Sequence, residues 1–131
     1  MAVYKKALKC CVLEGKLARQ ERQLNQNFAK QMDTWLDAVR NLRNYCAHHS
    51  MVVGMTSSVV IPDNRDSTDV LPDNTNLYSR LYALKKILLQ QDADMLMNEL
   101  DRLISRTKID VYKMNILPAN WKNLYDRILY L

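Results

Sequence analysis

The chain has 131 residues, and its 19 Lys and Arg against 14 Asp and Glu give a formal net charge of +5. This length fits one domain, residues 1–131, that can bury a core without a metal or a disulfide staple. With only two glycines and three prolines, the composition favours long helices over strands and turns, and predicts an all-α fold. The charge is compatible with a polyanionic partner, but an ordinary solvated surface explains it equally well.

Three cysteines bear on the compartment and on metal chemistry. Cys10, Cys11 and Cys46 do not have the C-x-x-C or C-x-x-H spacing of zinc sites, so we expect reduced thiols, no metal and no cofactor. The first six residues lack the apolar core of a secretory signal, and no apolar run approaches the roughly 20 residues that span a bilayer. The sequence therefore predicts a soluble, cytoplasmic protein without a membrane partner.

The N-terminal third is predicted to contain two helices. Apolar residues recur at helical spacing from Val3 to Leu13 and indicate a first helix. Gly15 and the polar stretch from Lys16 to Lys30 predict that this helix frays or breaks. The segment from Met32 to His49 is the most amphipathic of the chain, with Asp33 or Thr34 as its N-cap. Its apolar side carries Trp35, Leu36, Val39, Leu42 and Cys46.

A long stretch rich in Ser, Thr, Asn and Asp separates this helix from the rest. It runs from Ser50 to Asn76 and contains Gly54, Pro62 and Pro72. Residues 51–76 are predicted to form one long irregular loop, which is too long for an idle connection in a compact domain. A short strand pair, a cover over the polar residues from Arg43 to His49 and partial disorder all remain open for it.

Three helices are predicted in the C-terminal half. One begins at Leu77, with Asn74 or Thr75 as its cap, and a second runs from about Ala93 to Ser105. A shorter, less regular segment follows, and Pro118 suits the first turn of a last helix that extends through Leu129. Together the segments predict an up-and-down helical bundle of four main helices plus short extra helices, with one long irregular insertion.

The most informative stretch is Arg43-Asn44-Tyr45-Cys46-Ala47-His48-His49, a polar cluster inside an apolar-periodic helix. An arginine, an amide and two histidines provide the groups that hold a phosphate and move a proton near neutral pH. On a wheel of about 100° per residue, Arg43, Asn44 and His48 share the outward flank, whereas Cys46 and His49 point with the apolar stripe. His48 is thus either a solvated side chain or part of a site.

Three further polar residues, Asp37, Arg40 and Asn41, extend this flank toward the start of the helix. They form either a solvated face or a support that orients a catalytic side chain. His49 points toward the core edge, where one hydrogen bond would satisfy it. Because neighbouring helical residues diverge by about 100°, His48 and His49 cannot easily share a metal ion.

The stretch Leu42-Arg43-Asn44-Tyr45-Cys46-Ala47-His48-His49-Ser50 closely resembles the L-R-N-x-C-A-H-H-S signature of the Abi-like (AbiD/AbiF type) abortive infection proteins, which belong to the HEPN superfamily. Trp35-Leu36 stands where that family has S-W-L, and Leu77-Tyr78 to Leu89 resembles its L-Y-x-x-L-x-x-L-K helix. Tyr112-Lys113-Met114-Asn115-Ile116-Leu117-Pro118-Ala119-Asn120-Trp121 resembles its K-M-G-F-P-x-x-W close. The resemblance covers most of the chain and corresponds to the C-terminal half of such proteins.

The resemblance implies a HEPN-like helical bundle and a metal-independent endoribonuclease of a phage-defence or toxin system. Its R-x4-6-H motif would be Arg43 and His48, with Asn44 at the polar position after the arginine. The expected partners are an RNA substrate and a second copy of the chain, so that two motifs form a composite site. An antitoxin is a further partner left open. The site would be catalytic through Arg43, Asn44 and His48, supported by His49, Arg40, Asp37 and Asn41.

One departure from the family pattern supports a second hypothesis. After H-H-S the family continues R-L-W-N, whereas this chain has Met51-Val52-Val53-Gly54. The alternative is therefore a catalytically inactive HEPN module that binds RNA or a partner protein in the same kind of system.

Overall fold

The computed structural model describes residues 19–48 and 59–130. They form four α-helices: α1 (Arg19–Ala47), α2 (Leu77–Ile87), α3 (Gln90–Arg106) and α4 (Trp121–Arg127). No strand occurs in these two ranges, so the predicted all-α class is confirmed. The predicted helix from Val3 to Leu13, the glycine at position 15 and His49 lie outside the described residues. No described helix has both the length and the apolar composition needed to cross a bilayer.

The first described helix is longer than the sequence predicts. α1 runs without interruption from Arg19 to Ala47, so a break between Arg19 and Lys30 and the N-cap at Asp33 or Thr34 are wrong, whereas a break at residues 15–18 would lie outside the described residues. The stretch contains neither Gly nor Pro, and its Gln, Arg and Lys residues are good helix formers. Thr34 lies inside the helix, where its hydroxyl donates a hydrogen bond of 2.7 Å to the carbonyl of Gln31.

The irregular segment 59–76 is attached to α1 through the backbone of Ile61. The indole N–H of Trp35 donates to the Ile61 carbonyl at 2.9 Å, and the Ile61 N–H donates to the Thr34 hydroxyl at 3.2 Å. The Val60 N–H donates to the Asn74 carbonyl at 3.1 Å and closes the two ends of the segment. The strand pair considered for this region is therefore absent from its described part. In place of a ladder between strands, the backbone of Ile61 forms two hydrogen bonds with side chains of α1.

Apolar side chains from this segment join those of all four helices in one core. Val60 and Val70 are fully buried, and the Tyr78 hydroxyl donates to the Val70 carbonyl at 2.8 Å. The segment is thus a structural part of the core and not an appended loop. The buried hydrophobic residues are Trp35, Ala38, Val60, Val70, Tyr78, Leu81, Tyr82, Ala83, Ala93, Leu117, Trp121, Leu124, Tyr125 and Ile128.

A charged cluster lies inside this core. The ammonium of Lys86 is 3.0 Å from the carboxylate of Asp63 and 2.9 Å from that of Asp66, and all three side chains are almost completely buried. Arg65 forms a second ion pair with Asp63 at 2.6 Å, and the Tyr82 hydroxyl donates to Asp66. Because water cannot screen these charges, the cluster fixes segment 59–76 against α2.

The helix α2 begins at Leu77, as predicted, but its N-cap is neither Asn74 nor Thr75. Asn76 is the N-cap, and its side-chain oxygen accepts from the Ser79 N–H at 3.0 Å. Asn74 is not the cap, since its carbonyl accepts from Val60 instead, and Thr75 lies in a turn closed by the Asp73 carboxylate. Most residues of α2 are buried, and the charged residues Arg80, Lys85 and Lys86 are among them.

The last two helices are joined to each other and to α2 by Tyr125. Its hydroxyl donates to the Ala93 carbonyl at 2.8 Å, and its own carbonyl accepts from the ammonium of Lys85. The sequence predicts Pro118 in the first turn of α4, and this is wrong. Pro118 precedes the helix, and its carbonyl accepts from the Trp121 N–H in a turn that leads into it. The helix begins at Trp121, where the indole is buried.

Candidate functional site

The polar cluster lies in the last two turns of α1. The side chains of Arg43, Asn44 and His48 are all exposed. The His48 N–H donates to the Asn44 carbonyl at 3.1 Å, so the helical geometry continues to His48, one residue past the end of the helix. Within residues 19–48 and 59–130, none of the three side chains takes part in a hydrogen bond or an ion pair. They are therefore available to an external ligand.

The three side chains do not all point in the same direction from the helix axis. Asn44 and His48 are one turn apart and about 40° apart around the axis, which makes them neighbours on one face. Arg43 is about 140° from His48 around the same axis, and about 7.5 Å from it along the axis. A single helix can therefore present Asn44 and His48 to one ligand group, with Arg43 directed to the side.

The predicted burial of Cys46 is wrong, since this thiol is exposed. The helices α1 and α2 run antiparallel, with Trp35 beside Lys86 and Asn41 beside Arg80. Only one turn of α2 lies before Arg80, so the last residues of α1 extend past the start of α2 and lose its cover.

Asp37 and Arg40 form an ion pair on the outer face of α1. Both side chains are largely exposed, and an exposed pair of this kind contributes at most about 1 kcal/mol to stability. Arg40 can exchange this carboxylate for another anion at little cost. The structure therefore brings Arg40 to the face where the sequence places it, one turn before Asn44.

Asn41 is the supporting residue that the structure ties most firmly to the rest of the protein. Its side-chain oxygen accepts a hydrogen bond of 3.3 Å from a terminal nitrogen of Arg80. The other terminal nitrogen of Arg80 donates to the Thr75 carbonyl at 2.7 Å and to the Ser79 hydroxyl at 2.8 Å. Arg80 therefore connects the polar flank of α1 to the start of α2.

The guanidinium of Arg80 is fully buried, and its Nε has no hydrogen-bond partner within the described chain. Burial lowers the pKa of Arg80, whereas the nearby Tyr45, Asp73 and Asp37 act in the opposite direction. Arginine stays protonated despite such a shift. A fixed positive charge therefore lies directly beneath the polar flank, where it strengthens the attraction of this surface for anions.

The sequence does not point to Arg80, because the prediction of α2 rests on its apolar residues alone and assigns no position to this arginine. One signal was present: the predicted helix contains an arginine and two lysines but no acidic residue. A helix of this kind needs acceptors from elsewhere in the chain if its cations are buried. The pattern does not say which segment supplies them.

Within the described ranges, no group of three or more His, Cys, Asp or Glu side chains is placed to hold a metal ion. Comparison with protein-family models, with curated proteins and with solved structures finds no match to this chain.

Proposed function

We propose that this chain is a HEPN-type, metal-independent endoribonuclease domain of a bacterial abortive-infection or toxin system. The observation that carries the proposal is the R-x4-H motif at the end of α1. Its Arg43, Asn44 and His48 side chains are exposed together and have no partner in the described chain. Polar side chains that a fold leaves exposed and without partners are suited to binding a ligand.

The reaction follows from the chemistry of these groups. A ribose 2′-hydroxyl attacks the adjacent phosphorus, a new bond forms between O2′ and phosphorus, and the bond to the 5′-oxygen breaks. His48 exchanges the proton, and Arg43 stabilises the charge on the phosphoryl oxygens. Asn44 orients the phosphate or the imidazole. The products are a 2′,3′-cyclic phosphate and a 5′-hydroxyl end.

The geometry of one helix favours a composite site. Because Arg43 and His48 diverge by about 140°, a single copy does not direct both at one phosphate without bending the RNA around the helix. In a homodimer, His48 and Asn44 of one copy can act on the same phosphate as the partner subunit's Arg43. We therefore propose a homodimer whose two copies of α1 face each other at this end.

A second observation supports the family resemblance. Asn115 has a φ of 58°, in the left-handed region that favours glycine. It stands where the K-M-G-F-P pattern has its glycine, between Met114 and Ile116. Asparagine is among the few other residues that adopt this conformation readily. The backbone here thus has the conformation that a glycine in the family pattern would serve.

The test is RNA cleavage by the purified protein in EDTA. We expect products with 2′,3′-cyclic phosphate ends, and a loss of about 100-fold or more in rate for both Arg43→Ala and His48→Ala. Lys108→Ala, which removes an exposed cation from another surface, serves as the matched control. Cleavage that is equal in all four proteins would contradict the proposal.

The alternative is an inactive HEPN module that binds RNA or a partner protein, and Met51-Val52-Val53-Gly54 in place of R-L-W-N favours it. Filter binding separates the two. RNA binding without cyclic phosphate products, lost in Arg43→Ala, supports the inactive module, whereas turnover excludes it.

A further inference from the structure

The helix α3 has a second face that residues 19–48 and 59–130 leave uncovered. Its inward side packs Leu96, Met97, Leu100 and Ile104 against the core, and Ala93 is buried. Met95 and Leu103 point elsewhere and are 61% and 62% exposed. They lie within about 40° of Glu99 on opposite sides of it, so they belong to one outward stripe.

Charged residues continue this stripe to both ends of the helix. Asp92 lies in the first turn and Arg106 in the last, and both are exposed. Within the described ranges neither forms an ion pair. Their signs suit the dipole of their own helix. The dipole does not, however, account for the two exposed apolar residues between them.

The order of residues along the stripe is self-complementary. Asp92 and Arg106 are each seven positions from Glu99, and Met95 and Leu103 are each four positions from it. A two-fold axis beside Glu99, relating two antiparallel copies of α3, therefore places each Asp92 opposite an Arg106 and each Met95 opposite a Leu103.

The centre of such a pair is also electrostatically acceptable. Each Glu99 accepts from Arg102 of its own helix at 3.0 Å. The two-fold axis places the two Glu99 carboxylates opposite each other, and each is neutralised by the Arg102 of its own helix, which offsets their repulsion. The equal distances of acid and base from Glu99 are the symmetry that pairing with a second copy uses.

We propose that the stripe formed by Asp92, Met95, Glu99, Leu103 and Arg106 is a self-association surface at which two copies of the chain pair through antiparallel α3 helices. It lies on a different helix from Arg43 and His48 and does not depend on the proposed ribonuclease activity. One helix pair about 25 Å long lies at the small end of specific interfaces, so the association is reversible.

Charge reversal tests the register directly by sedimentation velocity over a range of concentrations. Asp92→Arg places arginine opposite arginine, and Arg106→Asp places aspartate opposite aspartate, so each variant alone should self-associate at least about tenfold more weakly than the wild type. An equimolar mixture of the two restores both attractive pairs and should associate like the wild type. Lys113→Asp, an exposed reversal on another surface, should have no effect.

The rescue by mixing also excludes misfolding, since two unfolded variants cannot restore each other. Association that is unchanged in both single variants overturns the proposal, and so does a mixture that stays as weak as its components. A strictly monomeric wild type overturns it as well. A monomeric wild type would also contradict the homodimer proposed at the end of α1, whereas the two outcomes with the charge variants concern the α3 surface alone and leave the cleavage assay untouched.

Discussion

The ammonium of Lys86 lies 2.9 Å from the carboxylate of Asp66, although both side chains are almost completely buried. Asp63 approaches the same ammonium at 3.0 Å, and the rings of Trp35 and Tyr82 lie 5.6 and 5.5 Å from it. This contact attaches the irregular segment to α2. It also explains why a lysine can occupy the centre of an apolar core.

Replacing Lys86 by methionine should strongly destabilise the protein. The change keeps the volume of the side chain but leaves Asp63 and Asp66 buried without their shared cation, which costs about 3–5 kcal/mol in unfolding free energy. Urea unfolding followed by circular dichroism measures it. Lys122→Met is the matched control, because it breaks a largely exposed pair with Asp101 and should cost at most about 1 kcal/mol. Equal losses of unfolding free energy in the two variants would show that the buried ion pairs contribute no more to stability than the exposed one.

The contribution of Asp63 should depend on pH. Burial alone would raise the pKa of Asp63, but hydrogen bonds from Arg65 and Lys86 outweigh it and hold the pKa well below its usual range. The unfolded chain then binds a proton at Asp63 more readily than the folded one, so stability rises with pH. Its contribution is complete above the unfolded value of about 3.9 and is lost as the pH falls below it.

The measurement compares the wild type with Asp63→Asn. Unfolding free energies of the two proteins should differ by a constant amount between pH 5 and 7, and the difference should shrink between about pH 4 and 2.5. A difference of the same size at pH 3 and at pH 7 would rule out an ionised Asp63 as its cause.

The left-handed backbone at Asn115 gives a prediction for the turn before α4. Asn115→Ala should lower the unfolding free energy by about 1 kcal/mol, because a Cβ without a polar group is disfavoured at this φ. Asn115→Gly should be neutral or stabilising. Asn123→Ala, an exposed change inside α4, controls for the loss of the amide and should have little effect. Thermal unfolding compares the three, and an alanine variant as stable as the glycine variant would contradict the expected strain.

Much of the helical structure is predictable from the sequence, because apolar residues recur at helical spacing along α2 and α3 and pack into the core of the protein. The helical conformation of residues 19–30 in α1 is not predictable in this way. These residues are mostly polar, and they are helical because no Gly or Pro interrupts them. A polar stretch has no apolar periodicity, so the sequence pattern predicts a break there. In the structure this stretch belongs to the same helix as Trp35.

The outward flank of the candidate site follows from local geometry alone, and Arg43, Asn44 and His48 are exposed as the helical wheel predicts. Cys46 is not buried because its cover depends on where α2 begins, which is a long-range relation. Arg80 and Lys86 could not be placed for the same reason: their partners lie on segments that only the fold brings together. Local patterns thus predict the direction of a side chain, but they do not identify its partners.

Complementation between two inactive variants tests the proposed composite site most directly. Arg43→Ala and His48→Ala should each fail to cleave RNA alone. After the two are mixed and exchange subunits, half of the dimers contain both variants, and one of their two sites combines an intact His48 with the partner subunit's intact Arg43. Activity should return to about a quarter of the wild-type rate. A mixture that stays as inactive as its components, beside an active wild type, would contradict a site shared between two copies.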